Sequence, residues 1–500
     1  MYQKTLSVVV GLALLAGCSE VPNVAAPAAT ANQVATANQA AAVPAGQQSH
    51  PNVVFILVDD LGYADVGFTG GEIATPNLDD IAAKGMIFDR NYVYSVCSPT
   101  RVALLTGQNP LAYGVVGPIQ ENVGLSLDLK LMPEYFKDMG YQTFMIGKWH
   151  LGLVTTDHWP NARGFDYFYG FLGGWIDFYT HVYGGGLDWQ RNGESLREEG
   201  HATDLMTADA LRVVESRDPN RPFFLYLSYN APHSPLQYTP SDSGLNDDVE
   251  AGDRKVYAEM VTQMDQGVGA LIGALRTQGI LENTIVVFSS DNGGAIRLGA
   301  NNGQLRGEKG SSFEGGIRVP GFLYWEGGIE GGSRLEQPVV VHDWLPTLLE
   351  AVGGNPADVI DPYGQNMWAA LGKGEQVERQ ITTIATGPSR AAIDWPYKYV
   401  TDNKRGAKTP PTLGLFNVVE DPYETNNLLE AMPEKAAELI AKLESIPDVR
   451  FPRNPDPLGH PEEHFRNATD DGWDYEVRVP ETRPVWTELV RDRAKEKAAN

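Results

Sequence analysis

Residues 53–60 read Val-Val-Phe-Ile-Leu-Val-Asp-Asp, and residues 284–292 read Thr-Ile-Val-Val-Phe-Ser-Ser-Asp-Asn. Each stretch is a short, β-branched apolar run that ends in acidic or amide residues. Such runs are typical of strands that are buried on both faces of a mostly parallel sheet. Strand-like and helix-like segments alternate to about residue 350. The sequence therefore predicts an α/β fold in which helices cover both faces of the sheet.

Polar side chains follow both runs at the point where each predicted strand ends: Asp59, Asp60, Asp291 and Asn292. Ligands of open α/β sheets collect beyond the carboxyl ends of the strands, so these four side chains could converge there. Four oxygen ligands without a thiolate suit a hard divalent cation, Ca²⁺ or Mg²⁺, better than zinc. The alternative is that the residues only form turns or cap the helices that follow.

The composition is that of an ordinary globular protein with an acidic surface. Its 500 residues, 42% of them apolar, suffice for a sizeable core, either in several domains or in one large α/β unit with a satellite. Against 64 acidic residues stand 39 basic ones, which gives a net charge of −25. A chain this acidic has no general attraction for nucleic acid, so an anionic substrate needs a local cluster of Lys and Arg.

The first 17 residues form a predicted signal peptide. Lys4 precedes the apolar stretch 6–15, which is short for a membrane span, and Leu-Ala-Gly at 15–17 precedes Cys18. This pattern resembles the lipobox of bacterial lipoproteins, which implies a lipid anchor on Cys18 and a location at the outer membrane, the periplasm or the cell surface. An ordinary secretory peptide is the alternative. The low-complexity segment 18–50 predicts a flexible tether.

Cys97 is the second of two cysteines, so lipidation of Cys18 leaves no partner for a disulfide. Residues 97–107 read Cys-Ser-Pro-Thr-Arg-Val-Ala-Leu-Leu-Thr-Gly. They match C-x-P-x-R-x-x-x-L-T-G, and the chain resembles the type I sulfatases, in which this cysteine is oxidised to formylglycine by a maturation enzyme. The alternative is a buried free thiol.

Further motifs of the sulfatase pattern follow in order over about residues 51–430. They are Thr-Pro-Asn-Leu-Asp at 75–79, Gly-Lys-Trp-His-Leu-Gly at 147–152, Ala-Pro-His at 231–233, Leu-Arg-Gly-Glu-Lys at 305–309 and Glu-Gly-Gly-Ile-Arg-Val-Pro at 314–320. The runs 163–166 and 177–181, and the sequence from Asn301 onward, resemble the arylsulfatase B group. The resemblance implies an alkaline phosphatase-like fold with a small antiparallel C-terminal sheet and a helix.

The resemblance also implies a role for each candidate site residue. Hydrated formylglycine at position 97 would attack sulfur, and the cation would be Ca²⁺ rather than Mg²⁺, with position 97 among its ligands. Arg101 would hold the hydrated aldehyde or the metal-ligand carboxylates. Lys148 and Lys309 would neutralise the sulfuryl oxygens, since fixed positive charge stabilises the charge that develops there. His150 would accept the proton that frees sulfate, and His233 would protonate the leaving alcohol. For each isolated Arg, Lys or His, a structural role is the alternative.

The domain prediction is a catalytic domain at 51–378 and a C-terminal subdomain with a tail at 379–500. Apolar spacing predicts helices at 78–84, 130–139, 257–276 and 433–446. The segments 397–400 and 415–418 are interpreted as strands of the C-terminal sheet.

The predicted function is hydrolysis of sulfate esters on a sulfated carbohydrate, for example a carrageenan. Trp175, Phe178, Tyr179 and His181 could stack on sugar rings, although aromatic clusters often belong to a core. A phosphomonoesterase or phosphonate hydrolase of the same superfamily is one alternative. An inactive, glycan-binding lipoprotein is another.

Overall fold

The computed structural model describes residues 50–119, 124–153, 155–183, 186–240, 243–360, 362–387, 389–403 and 410–447. The predicted signal peptide, the tether with Cys18 and the tail after residue 447 lie outside these ranges. Within the described residues, no helix is both long and apolar enough to cross a membrane.

The strands of the described residues run through the chain in the following order: β1 (Asn52–Val58), β2 (Met86–Phe88), β3 (Asn91–Tyr92), β4 (Gln142–Lys148), β5 (Tyr167–Phe171), β6 (Val182–Tyr183), β7 (Gly186–Leu187), β8 (Gln190–Arg191), β9 (Glu194–Ser195), β10 (Phe223–Ser228), β11 (Thr284–Ser290), β12 (Arg318–Val319), β13 (Gly321–Tyr324), β14 (Ser333–Leu335), β15 (Val339–Val340), β16 (Thr382–Thr386), β17 (Ser389–Asp394), β18 (Tyr397–Asp402) and β19 (Thr412–Asn417).

The α-helices of the same residues are α1 (Pro76–Lys84), α2 (Cys97–Thr106), α3 (Met132–Asp138), α4 (Ala202–Ser216), α5 (Asp253–Thr277), α6 (Glu314–Ile317), α7 (Trp344–Ala351), α8 (Trp368–Lys373) and α9 (Pro433–Glu444). The predicted helices are all present, and their ends lie within four residues of the sequence-based bounds.

The main sheet has ten strands in the order β14-β2-β13-β11-β1-β10-β4-β5-β8-β9. Its centre is parallel, because β1 pairs in parallel with both β10 and β11, and β4 pairs in parallel with β10 and β5. Antiparallel strands extend it at both edges. The two sequence stretches that predicted the fold are thus neighbouring strands, and the register pairs Val58 with Ser290.

Apolar side chains of β1 alternate between two cores, one on each face of the sheet. Val53, Phe55 and Leu57 belong to a cluster with residues of α2, α3 and α7. Val54, Ile56 and Val58 belong to a second cluster, which includes residues of α1, α4 and α5. Every residue of β1 is buried. This arrangement explains why the strand is continuously apolar, and it confirms the predicted sheet with helices on both faces.

The C-terminal part forms a separate antiparallel sheet in the order β16-β17-β18-β19. Helix α9 packs on this sheet through a small apolar cluster in which Leu439 and Leu443 meet Tyr399 and Leu415. Pro433 lies in the first turn of α9, where a missing backbone N–H costs little. The predicted small antiparallel sheet with one helix is confirmed.

Candidate active site

The carboxyl ends of β1 and β11 bring the predicted metal-ligating side chains together. Asn292 Nδ2 donates to Asp60 Oδ1 at 2.8 Å, and the Asp60 backbone N–H lies 3.5 Å from Asp291 Oδ1. The side chains of Asp59, Asp60, Asp291 and Asn292 are all buried. Asp60 has a φ of 68°, a left-handed conformation that Asp tolerates better than most residues and that is common where function constrains the backbone.

Two oxygen atoms of these four predicted ligands have no hydrogen-bond partner among the described residues: Asp59 Oδ1 and Asn292 Oδ1. A buried polar atom without a partner is costly, and carboxylate and amide oxygens are the ligands that hard divalent cations prefer. Ligand atoms of Asp59, Asp60 and His233 also lie within 4.8 Å of one another. The residues present therefore fit a divalent cation, which would satisfy the two oxygens.

The pKa values of Asp59 and Asp291 depend strongly on the charges around them. Burial would raise the pKa of Asp59, but Lys148, His233 and Lys309 together hold that pKa well below its usual range. Burial and the negative charge of Asp59 raise the pKa of Asp291, although Arg101 opposes this. The carboxylates thus repel one another in a site that excludes water, and a divalent cation would relieve that repulsion.

Cys97 is the first residue of α2, and its side chain is 3% exposed. Its Sγ lies 3.2 Å from Nδ1 of His150. Ser98 fixes this approach, because its hydroxyl donates to the backbone carbonyl of His150 at 3.1 Å and accepts from the Ile119 N–H at 2.9 Å. Burial raises the pKa of the Cys97 thiol, although Lys148 and Lys309 act to lower it. An unmodified thiol here is a poor nucleophile.

Arg101 lies one turn after Cys97 on α2 and is completely buried. Its Nε and Nη2 donate to Asp291 Oδ2 at 3.1 and 2.8 Å. Its Nη1 donates to the Lys148 carbonyl at 2.9 Å and to the Ser228 hydroxyl at 2.5 Å. Of the two roles that were predicted for Arg101, its contacts fit the one beside a carboxylate that is a predicted metal ligand, Asp291.

Lys148 and His150 lie at the carboxyl end of β4, two strands from β1. Lys148 Nζ pairs with Asp59 Oδ2, and both side chains are fully buried. His150 has a φ of 59°. Its ring packs closely against Gly174, because a Cβ atom added to that glycine would lie 2.6 Å from Nε2 of His150. Burial, together with Lys148 and Arg101, lowers the pKa of His150 well below its usual value, so the ring is neutral at pH 7.

His233 and Lys309 reach Asp60 from two different loops. His233 Nε2 lies 3.7 Å from Asp60 Oδ2, while Lys309 Nζ lies 2.6 Å from Asp60 Oδ1. Burial and the charge of Lys309 lower the pKa of His233. Burial acts to lower the pKa of Lys309, but Asp60, Cys97 and Asp59 together outweigh it and raise that pKa. All ten predicted site residues therefore lie in one connected cluster, and their assigned roles remain predictions.

Two further groups of residues at this site carry no motif that predicted them. Tyr226 and Ser228, alternate residues of β10, face Arg101, with Tyr226 OH 3.4 Å from its Nη1. Asn230 is 1% exposed, and neither polar atom of its carboxamide has a partner among the described residues. Its position just after β10 follows the same strand-end pattern as Asp59 and Asn292, which was the available signal.

The aromatic stretch before α4 is mostly core. Phe178 stacks on His201 with 4.8 Å between ring centroids, and His181 stacks on Trp189 at 4.6 Å. Both are buried, as is Tyr179, so burial favours the core alternative for these three residues. Trp175 is half-buried and packs edge-on against Tyr183.

The sequence model of the Sulfatase family matches residues 51–354. The chain therefore belongs to the sulfatase family, as the residues around Cys97 predicted, and it is a sulfuric ester hydrolase. Arylsulfatase J of Mus musculus is 32% identical to it over 474 residues, which cover 83% of this chain and 79% of the mouse protein. N-acetylgalactosamine-6-sulfatase of Mus musculus is 33% identical over 371 residues, which cover 67% of this chain and 69% of that protein.

Among solved structures, the chain is similar to Ps i-CgsB in complex with k-i-k-neocarrahexaose. The two share 31% sequence identity with a TM-score of 0.73, and the match covers 88% of this chain and 100% of that chain. The sulfatase relatives and this structural similarity confirm the predicted alkaline phosphatase-like fold.

Proposed function

We propose that this sulfatase removes sulfate groups from a sulfated carbohydrate of the carrageenan type. The observation that carries the proposal is the position of Cys97, whose Sγ faces His150 beside the buried cations Lys148 and Arg101. The oligosaccharide bound to Ps i-CgsB supports a carrageenan-like substrate, because that protein is similar over most of the chain.

In the proposed mechanism, a maturation enzyme converts Cys97 to formylglycine, whose hydrate supplies the nucleophilic oxygen. The first turn of α2 and the Ser98 hydrogen bonds hold residue 97 in place. His150 Nδ1, which lies 3.2 Å from the side chain at position 97, then accepts the proton of the second hydroxyl of the hydrate, so that the C–O bond to the transferred sulfate breaks, sulfate leaves and the aldehyde is restored. Because the pKa of His150 is lowered, the ring is in the neutral form that this role requires.

We assign Asp59, Asp60, Asp291, Asn292 and residue 97 to a bound cation, with Ca²⁺ preferred to Mg²⁺. When bound, the cation supplies positive charge that activates the nucleophile and attracts a sulfuryl oxygen. Arg101 orients the Asp291 carboxylate through two hydrogen bonds to the same oxygen. The oxygen ligands of the two strand ends support a hard divalent cation, Ca²⁺ or Mg²⁺, and the preference for Ca²⁺ rests on the family resemblance.

Lys148 and Lys309 bind the sulfuryl group, and His233 protonates the leaving alcohol. Lys148 is fully buried and Lys309 is 22% exposed, so both charges are fixed in a site of low water content, where they act strongly. The side chains of Lys148 and Lys309 also give this acidic protein the local positive charge that an anionic substrate needs. In saline water, screening reduces the repulsion between the bulk of the protein and a polyanion.

We also propose that the protein is a bacterial lipoprotein, anchored through Cys18 with the segment 18–50 as its tether. The support is the sequence alone: an apolar stretch, the small residues at 16 and 17, and a cysteine. Such an anchor would place the enzyme where external sulfated polymers arrive. Growth with a labelled fatty acid tests it, since a Cys18→Ser variant should lose the label and the membrane association.

A panel of defined sulfated oligosaccharides, with released sulfate measured, tests the proposed substrate. We expect sulfate release from carrageenan oligosaccharides at rates above those for glycosaminoglycan fragments. Matched aryl sulfate and aryl phosphate esters serve as the control. Preference for the phosphate ester, or no release from any carbohydrate, would contradict the proposal.

A further inference from the structure

The segment 305–316, called the lysine loop below, carries Lys309 and contacts both halves of the site. The Lys309 N–H donates to the Gly294 carbonyl at 3.2 Å, and the Gly310 N–H donates to the Ser95 carbonyl at 2.7 Å. Ser95 is two residues before Cys97, and Gly294 is two residues after Asn292. The backbone of this loop therefore sets the distance between residue 97 and the end of β11.

The lysine loop also supports Asn292 directly. The Gly293 N–H donates to the carbonyl of Gly316 at 3.0 Å, and a Cβ atom at position 293 would collide with the carbonyl oxygen of Gly315. The loop closes on itself through a hydrogen bond of 2.6 Å from the Gly315 N–H to the Arg306 carbonyl. A displacement of the loop would thus move Lys309 and the strand end with Asn292 together.

The C-terminal sheet holds the far side of this loop through a buried ion cluster. Lys398 Nζ of β18 lies 2.6 Å from Glu314 Oε1 and 2.8 Å from Glu424 Oε1, with all three side chains completely or almost completely buried. The Glu314 N–H donates to Glu424 Oε2 at 2.7 Å. Arg306 Nη1 donates to the Glu424 carbonyl at 3.0 Å.

A second contact joins the lysine loop to the C-terminal sheet. The Ser312 N–H donates to Asp402 Oδ1 at 3.1 Å, and the Ser389 hydroxyl donates to the same oxygen at 2.5 Å. Glu424 has a φ of 54°, which is unfavourable for a Glu residue and which the surrounding contacts must maintain. Three residues of the lysine loop, Arg306, Ser312 and Glu314, are therefore held by residues of the C-terminal sheet and of the segment after it.

Stability alone is a poor explanation for this cluster. Burying a lysine and two carboxylates requires their removal from water, and an apolar replacement of similar volume is often at least as stable. Burial would lower the pKa of Lys398, but Glu314 and Glu424 outweigh it and raise that pKa, so the lysine keeps its charge. A buried ion pair does define one geometry, because its atoms must meet at fixed distances and angles.

We propose that Lys398 is a positioning residue for sulfate ester hydrolysis: through Glu314 and Glu424 it fixes the lysine loop, and thereby Lys309 and Asn292. The C-terminal sheet is then a working part of the active site, although it supplies none of the predicted catalytic side chains. The expected effect on kcat rests on the proposed function. The expected effect on the geometry of the cation site does not, because Ca²⁺ affinity can be measured without turnover.

The test compares Lys398→Met and Lys398→Arg with Lys435→Met in the full-length protein. Lys435 is a matched control because it pairs with Asp394 and Glu438 in the same C-terminal part but outside the cluster. The measurements are kcat and KM on an aryl sulfate, Ca²⁺ affinity by calorimetry, and the melting temperature. All kinetic and binding measurements are made well below the melting temperature of each variant.

We expect Lys398→Met to lower both kcat and Ca²⁺ affinity by about tenfold, the usual effect of removing a group that orients a metal-site residue. Its KM for a small aryl sulfate should change little, Lys398→Arg should recover part of the loss, and Lys435→Met should match the wild type. A Lys398→Met protein with a lower melting temperature but unchanged kcat and Ca²⁺ affinity would overturn the proposal.

Asp402→Asn provides a second variant in case Lys398→Met does not fold. Asp402 is half-buried, and the change weakens one contact to the lysine loop without leaving a buried charge unpaired. We expect lower kcat and lower Ca²⁺ affinity, and wild-type values of both would again overturn the proposal. If the wild type itself releases no sulfate, the proposed function fails, while the Ca²⁺ measurements still decide the role of Lys398.

Discussion

Arg101 Nη2 lies 2.8 Å from Asp291 Oδ2, and the two side chains have no exposed surface. The same guanidinium donates to the Lys148 carbonyl and the Ser228 hydroxyl. One side chain on α2 therefore connects the helix that carries Cys97 to the ends of three strands. Its planar group with several donors suits this geometry, which the single ammonium of a lysine could not reproduce.

Arg101→Met should lower the free energy of unfolding by about 3–5 kcal/mol, because it leaves the buried Asp291 carboxylate without its partner. Urea unfolding measures the change. Lys84→Ala is the control, since the Lys84–Asp80 pair is exposed and should contribute less than about 1 kcal/mol. Equal losses for the two variants would argue against a buried, energetically important pair at Arg101.

Cys97→Ala should abolish sulfate release while the protein remains folded. The side chain is 3% exposed and small, so its truncation should cost only about 1 kcal/mol of unfolding free energy. Mass spectrometry of the wild-type peptide should show loss of sulfur and two hydrogens and gain of one oxygen. Cys18→Ser should retain activity in cell extracts. Substantial turnover by Cys97→Ala would remove residue 97 from the mechanism.

His233→Ala and His150→Ala should respond differently to the leaving group. Loss of a general acid reduces the rate by about 10²–10⁴-fold for a poor leaving group and far less for an activated phenol. We therefore expect His233→Ala to impair sugar sulfates more than nitrophenyl sulfate, with kcat/KM measured on both. His150→Ala should impair both to a similar extent, because its Nδ1 faces residue 97. Parallel losses for His233→Ala would contradict its role as the acid.

Removal of divalent cations should lower both activity and thermal stability, and Ca²⁺ should restore both better than Mg²⁺. At a free cation concentration of 100 times Kd, binding stabilises the fold by about 2.7 kcal/mol. Asn292→Ala should reduce this Ca²⁺-dependent gain, because the Asn292 Oδ1 atom is one of the two predicted ligand oxygens without a hydrogen-bond partner among the described residues. Scanning calorimetry with and without a chelator measures the effect. A gain unchanged by Asn292→Ala would place the cation elsewhere.

His342 should make the fold sensitive to acid. It is 1% exposed, packs edge-on against Tyr94 and Tyr363, and contacts the Thr382 hydroxyl at 3.1 Å. Burial lowers its pKa to about 4, although the neighbouring carboxylate of Asp343 opposes this. In the native protein the His342 ring therefore stays neutral at pH values at which the same ring is protonated in the unfolded chain.

The stability that His342 contributes is thus complete above pH 6.5 and is lost as the pH falls towards 4. The expected loss is about 3 kcal/mol over that range. His342→Gln keeps a partner for Thr382 but does not titrate, so its urea midpoint should fall less steeply between these pH values. Equal slopes for variant and wild type would contradict the assignment.

Much of the site was predictable because several of its side chains come directly after the ends of strands. The apolar runs before Asp59 and Asp291 identify β1 and β11, and buried parallel strands of this kind place their carboxyl ends at one edge of the sheet. The cysteine signature and its companion motifs then added the proposed catalytic side chains. Helix bounds were less accurate: α5 begins at Asp253, before its apolar pattern starts at Tyr257.

What the sequence could not provide are contacts between distant, ordinary residues. Glu314 and Lys398 are 84 positions apart, and nothing in their local sequence indicates that both are buried or paired. Likewise, Phe178 and His181 stand in a glycine-rich aromatic stretch that fits either a sugar platform or a core. Their burial depends on His201 and Trp189, which contact them only in the folded chain.

If Cys97 is oxidised as proposed, its burial sets an order of events during biosynthesis. The maturation enzyme would have to reach the thiol, yet the folded chain exposes only 3% of that side chain. Oxidation would therefore compete with folding for each newly made molecule. When synthesis outpaces the oxidising enzyme, part of the population should fold with its thiol intact and stay permanently inactive, so specific activity should fall as expression rises.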